Sequence, residues 1–368
     1  MTGAHSRSLQ PVCGLRCNAL AKGVATLQRM TSSMTTSITT SVPTEAPLPS
    51  LDELLAGATD RTPLRPADGL SMAPMERLVL DGRRCVLKLV SPELDWVMRL
   101  SNDTVCRPAL AWQLGLLDRV AGHVDSLVLG VGRYADGWGV LMRDASDEFL
   151  EEGAAPIAVE RQAAFLRDMA GMHASTWGFQ HVEGLAVPSD YYGLFSPAVL
   201  AKEAERGPLT GVPSFVAAGR QALAAAVPDL AADVDVVTRD LGRLTRALAE
   251  TPQALVHHDW KGGNLGTRAD GRTVLVDWAF PGSNAPLADV AWYLACNCDR
   301  LLTTKEQVIE DYRRQLETAG IDTSGWFERQ LELALLGAFV IVGWSKGDPV
   351  ELQWWVDRIS RVAAELAC

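Results

Sequence analysis

The segment His257-His258-Asp259-Trp260-Lys261-Gly262-Gly263-Asn264 gathers a carboxylate, a lysine, two glycines and an amide. Thirteen residues beyond Asn264 stands Asp277, at the end of the apolar run Thr273-Val274-Leu275-Val276. Two acids and an amide so spaced suit phosphoryl transfer. That chemistry needs one carboxylate to orient and deprotonate a hydroxyl, and an amide with a second carboxylate to hold magnesium on the phosphates. Asn and Asp are hard oxygen ligands of the kind Mg2+ takes. Lys261 can set a positive charge against the transferring group, and Gly262 and Gly263 let the loop pass close to a ligand. Singly, these residues have ordinary readings: a lone histidine at 257 or 258 is a satisfied core group, Asp289 a helix cap, and Lys88 a solvated strand residue.

The set becomes a site only if the intervening chain turns back on itself. Ala269-Asp270-Gly271-Arg272 predicts a hairpin that returns Asp277 to the loop holding Asp259 and Asn264. A second Asp-Gly turn, Asp81-Gly82, separates Glu76–Leu80 from Arg83–Val90 and predicts a hairpin whose returning strand carries Lys88. Ser91-Pro92-Glu93 predicts a helix start, Pro108 to Val120 a second helix, and Leu127–Val131 with Trp138–Met142 two more strands. Beyond residue 155 the periodicity predicts helices over Val159–Ser175, Pro197–Arg206, Pro213–Ala226, Ala232–Leu248, Thr304–Thr318, Phe327–Gly343 and Glu351–Ala367. Thr303-x-x-Glu306 is the pattern of a capping box. The fold class is α+β in two lobes: a small β-rich N-terminal lobe over 50–145, a connector near Arg143–Ala145, and a large, mainly helical C-terminal lobe over 146–368. Residues 1–49 are Ser/Thr-rich and aperiodic, and read as a disordered tail. An organelle transit peptide and a start codon placed too early are the other readings of that stretch.

The net charge of −11 divides into +3 over residues 1–49 and −14 over the rest. So acidic a body argues against nucleic acid as a partner. The seven cysteines are odd in number and irregularly spaced, which fits a reducing cytoplasm better than a disulfide framework. Cys296-x-Cys298 lacks a second pair at zinc spacing and reads as helix packing. The longest apolar stretch, Leu333 to Trp344, is 12 residues. A membrane-spanning helix takes roughly 20, so this stretch is expected to be a buried core helix.

His257-x-Asp259-x-x-x-x-Asn264, with Val276-Asp277-Trp278 and Pro286-Leu-Ala-Asp289-Val-Ala291, resembles the aminoglycoside phosphotransferase and choline kinase superfamily of small-molecule kinases, which share the protein-kinase fold. The resemblance covers roughly residues 60–345 and is strongest over 255–294. It implies Asp259 as the base that accepts the hydroxyl proton, and Asn264 and Asp277 as ligands of Mg2+. Lys261 matches a catalytic-loop lysine, and His257 a residue that braces that loop. Asp289 matches the acid that holds the loop's backbone. Lys88 matches the lysine on the α- and β-phosphates of ATP. Met142–Ala145, Asp144 among them, falls where the adenine-binding hinge is expected.

Two departures stand out. The phosphate loop, often glycine-rich in the family, has one glycine in Ala67-Asp68-Gly69-Leu70-Ser71-Met72-Ala73-Pro74, so backbone N–H groups from Gly69 through Ser71 to Met72 would have to face the phosphates. The helix from Pro108 offers Trp112 and Gln113 where an acid would pair with Lys88, leaving Asp103, Glu93 or Asp95 for that role. The expected function is an ATP-dependent phosphotransferase acting on a hydroxyl of a small molecule, such as an aminoglycoside-like compound, an amino alcohol or a sugar. The alternative is a weak or inactive nucleotide-binding regulator on the same fold. The acceptor pocket is expected around Trp292, Asn297, Asp299, Trp344 and Glu351.

Overall fold

The computed structural model describes residues 47–64, 73–151 and 153–368. Gly69 and Ser71, the expected phosphate-loop residues, lie outside the described residues, as does the chain before residue 47.

The small lobe is a five-stranded antiparallel sheet. Its strands are β1 (Thr59–Leu64), β2 (Met75–Leu80), β3 (Arg83–Val90), β5 (Val128–Tyr134) and β6 (Gly137–Arg143), in the order β1-β2-β3-β6-β5. The short strand β4 (Val124–Asp125) belongs elsewhere. Asp81 (φ 50°) and Gly82 (φ 74°) both take the left-handed backbone that a two-residue type I′ turn requires, and they set the register Leu80↔Arg83 and Met75↔Lys88. Alternation along β3 then decides the placement of Lys88. Cys85 and Leu87 pack with Leu55, Leu78 and Leu141 under the helix Leu51–Leu54, whose capping box is Ser50 with Glu53. Val86, Lys88 and Val90 turn to the opposite face, which lines the cleft between the lobes.

The large lobe packs Leu287–Cys296 and Phe327–Val342 at its centre, with Val159–Ser175, Lys305–Thr318 and Pro349–Ala367 around them. The apolar stretch from Leu333 lies within Phe327–Val342 and its η-turn continuation, as a core helix does. Among the described residues no helix is long and apolar enough to cross a membrane, and Cys296 and Cys298 are free thiols. Two small sheets carry the chemistry-bearing loops. One pairs β7 (Ala254–Val256) with β10 (Gly282–Asn284). The other is ordered β4-β9-β8, from β8 (Leu265–Thr267) and β9 (Thr273–Leu275) with β4 parallel to β9. The expected hairpin about Asp270-Gly271 is β8–β9, with Leu265 opposite Leu275.

Several element boundaries differ from expectation, each for a local reason. Ser91 closes a turn, accepting from the N–H of Asp95, and the helix starts only at Trp96 with Asp95 as N-cap, so that Trp96, Met98 and Leu100 are buried. The stretch from Pro108 divides into Arg107–Gln113 and Leu116–Val120 at Gly115, whose φ is 66°. The single helix expected over Ala232–Leu248 divides into Pro228–Arg239 and Leu241–Ala249 at Asp240, which caps the second. Thr304 rather than Thr303 caps the next helix, because the Thr303 hydroxyl accepts from Gln162.

The connector is fastened to the β8–β9 hairpin. Leu150 donates to the Leu265 carbonyl (2.9 Å) and Thr267 donates to that of Glu148 (2.8 Å). A Cβ on Gly266, between these bonds, would sit 2.7 Å from the Glu148 carbonyl oxygen, a backbone atom with no room to move. Gly266→Ala is therefore expected to lower stability by about 1–3 kcal/mol, read as a fall in the chemical-denaturation midpoint.

Candidate active site

The loop after β7 is placed by one carboxylate. Asp289, fully buried in the first turn of Leu287–Cys296, accepts the N–H of His257 at 3.0 Å on Oδ2 and that of His258 at 2.5 Å on Oδ1. Its Oδ2 also meets His173 Nε2 at 3.0 Å, and His173 Nδ1 meets the Tyr312 hydroxyl at 2.7 Å. Burial works against the Asp289 charge, but the bond to His173 and the three nearby imidazoles bring its pKa below the usual carboxylate value. His257 Nδ1 in turn accepts the N–H of Asp259 at 3.1 Å. His257 and Asp289 are thus bonded to the backbone of the loop that carries Asp259.

Asp259 is nearly enclosed by donors. Its Oδ2 accepts from Lys261 Nζ (2.8 Å) and Asn264 Nδ2 (2.7 Å), and its Oδ1 from the Trp292 indole N–H (2.8 Å). Asn264 also donates to the Asp259 backbone carbonyl, so both bonds of its side chain to Asp259 use the amide nitrogen and not the side-chain oxygen. The Asn264 backbone carbonyl accepts from Val276, tying it to the strand end that presents Asp277. Asp277 Oδ1 lies 2.8 Å from Lys88 Nζ. Burial pushes the Asp277 carboxyl up, but Lys88 and Lys261 outweigh it and bring it down to about 2. Lys261 is half-buried; desolvation works against its charge, but Asp259 and Asp277 hold its pKa well above the ordinary lysine value.

Four predicted residues thus converge: Asp259, Lys261, Asn264 and Asp277, with Lys88 reaching them from the small lobe. All five line one cleft of about 1550 Å³. Met142 and Asp144 line it as well, at the connector end with Leu127 and Phe149. Burial works against the Lys88 charge, but Asp277 and then Asp95 outweigh it and raise its pKa, so Asp95 is the small-lobe acid that acts on Lys88, while its carboxylate accepts the N–H of Val97. Asp103 instead accepts from the N–H groups of Val105 and Arg107, and Glu93 pairs with Arg206.

The expected acceptor pocket needs correction. Trp292 and Trp344 line the cleft, but Asn297 is buried beneath the loop, accepting from Gly262 N–H (2.8 Å) and donating to the Trp260 carbonyl (3.2 Å). Glu351 is bound by Lys305 and by the Trp355 indole. Asp299 is not among the cleft-lining residues. The bond from Trp292 to Asp259 was not foreseen. Its signal is spacing, because Trp292 lies three residues past Asp289 and therefore on the same helical face.

The donor set fits a hard divalent cation. One carboxylate and one amide oxygen, beside phosphate and water, are what Mg2+ takes from protein. Among the described residues no cluster of three or more His, Cys, Asp or Glu offers a self-sufficient metal cage.

The profile of the Phosphotransferase enzyme family matches residues 78–329. The chain belongs to that family. Similar solved structures include a choline kinase from Streptococcus pneumoniae, 11% identical over 86% of this chain and 95% of that one, at a TM-score of 0.47. A thermostable mutant of an aminoglycoside phosphotransferase is 17% identical over 86% and 97%, at 0.45. A Plasmodium vivax ethanolamine kinase is 10% identical over 83% and 81%, at 0.44. No curated protein matches the sequence. The motif that first marked this family member, His257 to Asn264, lies inside the matched region, as do Lys88, Asp277 and Asp289.

The loop of this family member has an acid-sensitive brace. His258, at φ 66°, meets the Phe280 carbonyl through Nδ1 (2.7 Å) and Asn284 Nδ2 through Nε2 (2.8 Å). Both contacts are satisfied only by a neutral ring protonated on Nδ1. Burial lowers its pKa to about 4. Between about pH 6.5 and pH 4 the unfolded chain binds a proton there that the folded chain refuses, so stability falls as pH drops through that window, by on the order of 3 kcal/mol. His258→Asn keeps a donor for Phe280 and suits the left-handed backbone. It is expected to flatten the slope of Tm against pH between 6.5 and 4; an unchanged slope would assign the acid sensitivity to another group.

Proposed function

We propose that this protein is an ATP-dependent kinase that phosphorylates a hydroxyl of a small molecule. The observation that carries the reading is the convergence of Asp259, Asn264 and Asp277, between the cations Lys261 and Lys88, in one cleft. Asp259 orients the acceptor hydroxyl and takes its proton. The acceptor oxygen forms a bond to the γ-phosphorus as the bond to the β–γ bridging oxygen breaks, and ADP leaves with that electron pair. Asn264 and Asp277 would hold Mg2+, which when bound neutralises charge on the phosphates. The low pKa of Asp277 keeps it ionised for that task at any physiological pH. Lys88 stands beside Asp277 at the height of the phosphates, and Lys261 balances charge as it builds on the transferred group. Leu127, Met142 and Phe149 supply an apolar slot for adenine at the connector, where Asp144 also lies.

A test combines binding and turnover. Asp259→Ala is expected to bind Mg-ATP, read by thermal shift, while phosphoryl transfer falls by a factor of about a hundred or more. Substantial turnover in that variant would remove Asp259 from the role of base. Trp292→Phe deletes the donor to Oδ1 and keeps the ring. Loss of one hydrogen bond to a charged group is expected to lower kcat about tenfold, with the KM for ATP little changed.

A further inference from the structure

We infer that the acceptor is an uncharged alcohol with an apolar body, bound along an aromatic wall that runs from the base into the large lobe; this rests on the kinase reading above. The wall begins at Trp292, whose indole N–H holds Asp259. It continues over Phe280 and Phe195 to Trp344, with Leu194 and Val212 beside them, all lining the cleft. Trp96, from the small lobe, closes the far side, its ring centroid 6.0 Å from that of Phe195. The Phe195 and Trp344 rings meet edge to face at 6.1 Å.

The charges of the cleft argue the same way. A polycationic acceptor needs carboxylates left over to receive its ammonium groups. Asp259 and Asp277 are taken by Lys261 and Lys88. Of the other cleft-lining acids, Asp95 caps Trp96–Leu100, Asp103 accepts two backbone N–H groups, Asp144 is held by Ser146, and Glu151 is an exposed residue just past the connector rather than part of the wall. Glu351, the acid best placed by sequence to meet a cation, lies behind the wall in its pair with Lys305. The wall itself carries no carboxylate. Rings offer apolar surface, and each methylene buried there is expected to strengthen transition-state binding about three- to fourfold; a quaternary ammonium can meet the same rings by cation–π attraction, which makes choline the discriminating acceptor. The hydroxyl is left at Asp259, where its proton passes to the carboxylate and its oxygen to the γ-phosphorus of ATP.

The experiment uses the full chain with Mg-ATP and reads ADP release together with the phosphorylated product. The acceptors are straight-chain primary alcohols from 1-butanol to 1-octanol, 2-phenylethanol, choline and hygromycin B. The expected result is a kcat/KM that climbs about three- to fourfold per methylene along the series and exceeds that for choline and hygromycin B. Trp344→Ala should flatten the climb through KM rather than kcat. Preference for choline or hygromycin B, or a flat series in the unaltered protein, overturns the apolar acceptor while leaving the kinase standing. Absence of turnover with every acceptor overturns it too, and absence of a thermal shift with Mg-ATP overturns the kinase reading as well.

Discussion

A single buried carboxylate, Asp289, sets the position of the loop that carries Asp259. It has no solvent to share its charge, so its oxygens must be satisfied by protein, and they are: two consecutive backbone N–H groups and one imidazole. A buried charge with these partners is tolerable, and with one removed it is costly by several kcal/mol. The consequence is a loop with little freedom. His257 and His258 are drawn onto Asp289, and His258 is thereby forced to φ 66°, where a non-glycine residue is strained. The strain is opposed by the two bonds of its ring and by its packing on Tyr191, at 4.1 Å between centroids. Asp259 then emerges from a backbone that is over-determined just before it.

The second constraint is charge alternation across the cleft. Asp259 is buried and Lys88, Asp277 and Lys261 are half-buried, and each acid has a lysine within 2.8 Å. Neither sign could be buried alone. Asp277 also sits at φ 64°, at the end of β9, so both candidate acids depend on a left-handed residue at or next to them. The two strained points lie on either side of the same hairpin, and that hairpin is fixed to the connector through Gly266. The geometry of the site is therefore held by backbone hydrogen bonds from three directions, and the charged side chains need only bridge short gaps.

This explains what the sequence did and did not disclose. The hairpins were legible because Asp81-Gly82 and Asp270-Gly271 announce backbone conformations that few other dipeptides take. The convergence of Asp259, Asn264 and Asp277 followed from the second hairpin alone. Lys88 was read from its place on the returning strand of the first hairpin and from the family resemblance, and alternation along β3 is what turns it to the cleft face. Long-range choices were not legible. Asp95, Asp103 and Glu93 are equivalent by composition, and only the folded chain separates them: Asp95 caps the helix that buries Trp96, Asp103 accepts two backbone N–H groups and Glu93 pairs with Arg206. Asn297 and Glu351 look like pocket residues in a sequence because polar groups are usually exposed; here Asn297 is buried beneath the loop it holds, and Glu351 is drawn into its pair with Lys305. The parallel pairing of β4 with β9 joins residues some 150 apart in sequence, and no local pattern marks it.

In the kinase reading proposed above, the hydrogen bonds of Asp259 also leave one direction open to an arriving hydroxyl. A carboxylate oxygen has two lone-pair sites. On Oδ2 both are occupied, one by Lys261 and one by Asn264, whereas Oδ1 has only the Trp292 indole. The remaining acceptor capacity is on Oδ1, on the side of Trp292. An acceptor approaching that oxygen must lie against Trp292 and, beyond it, along Phe280, Phe195 and Trp344. The donor that orients the base is thus the first ring of the surface that would hold the acceptor. The chemistry and the choice of acceptor meet in one side chain, placed by the same helix whose first turn carries Asp289.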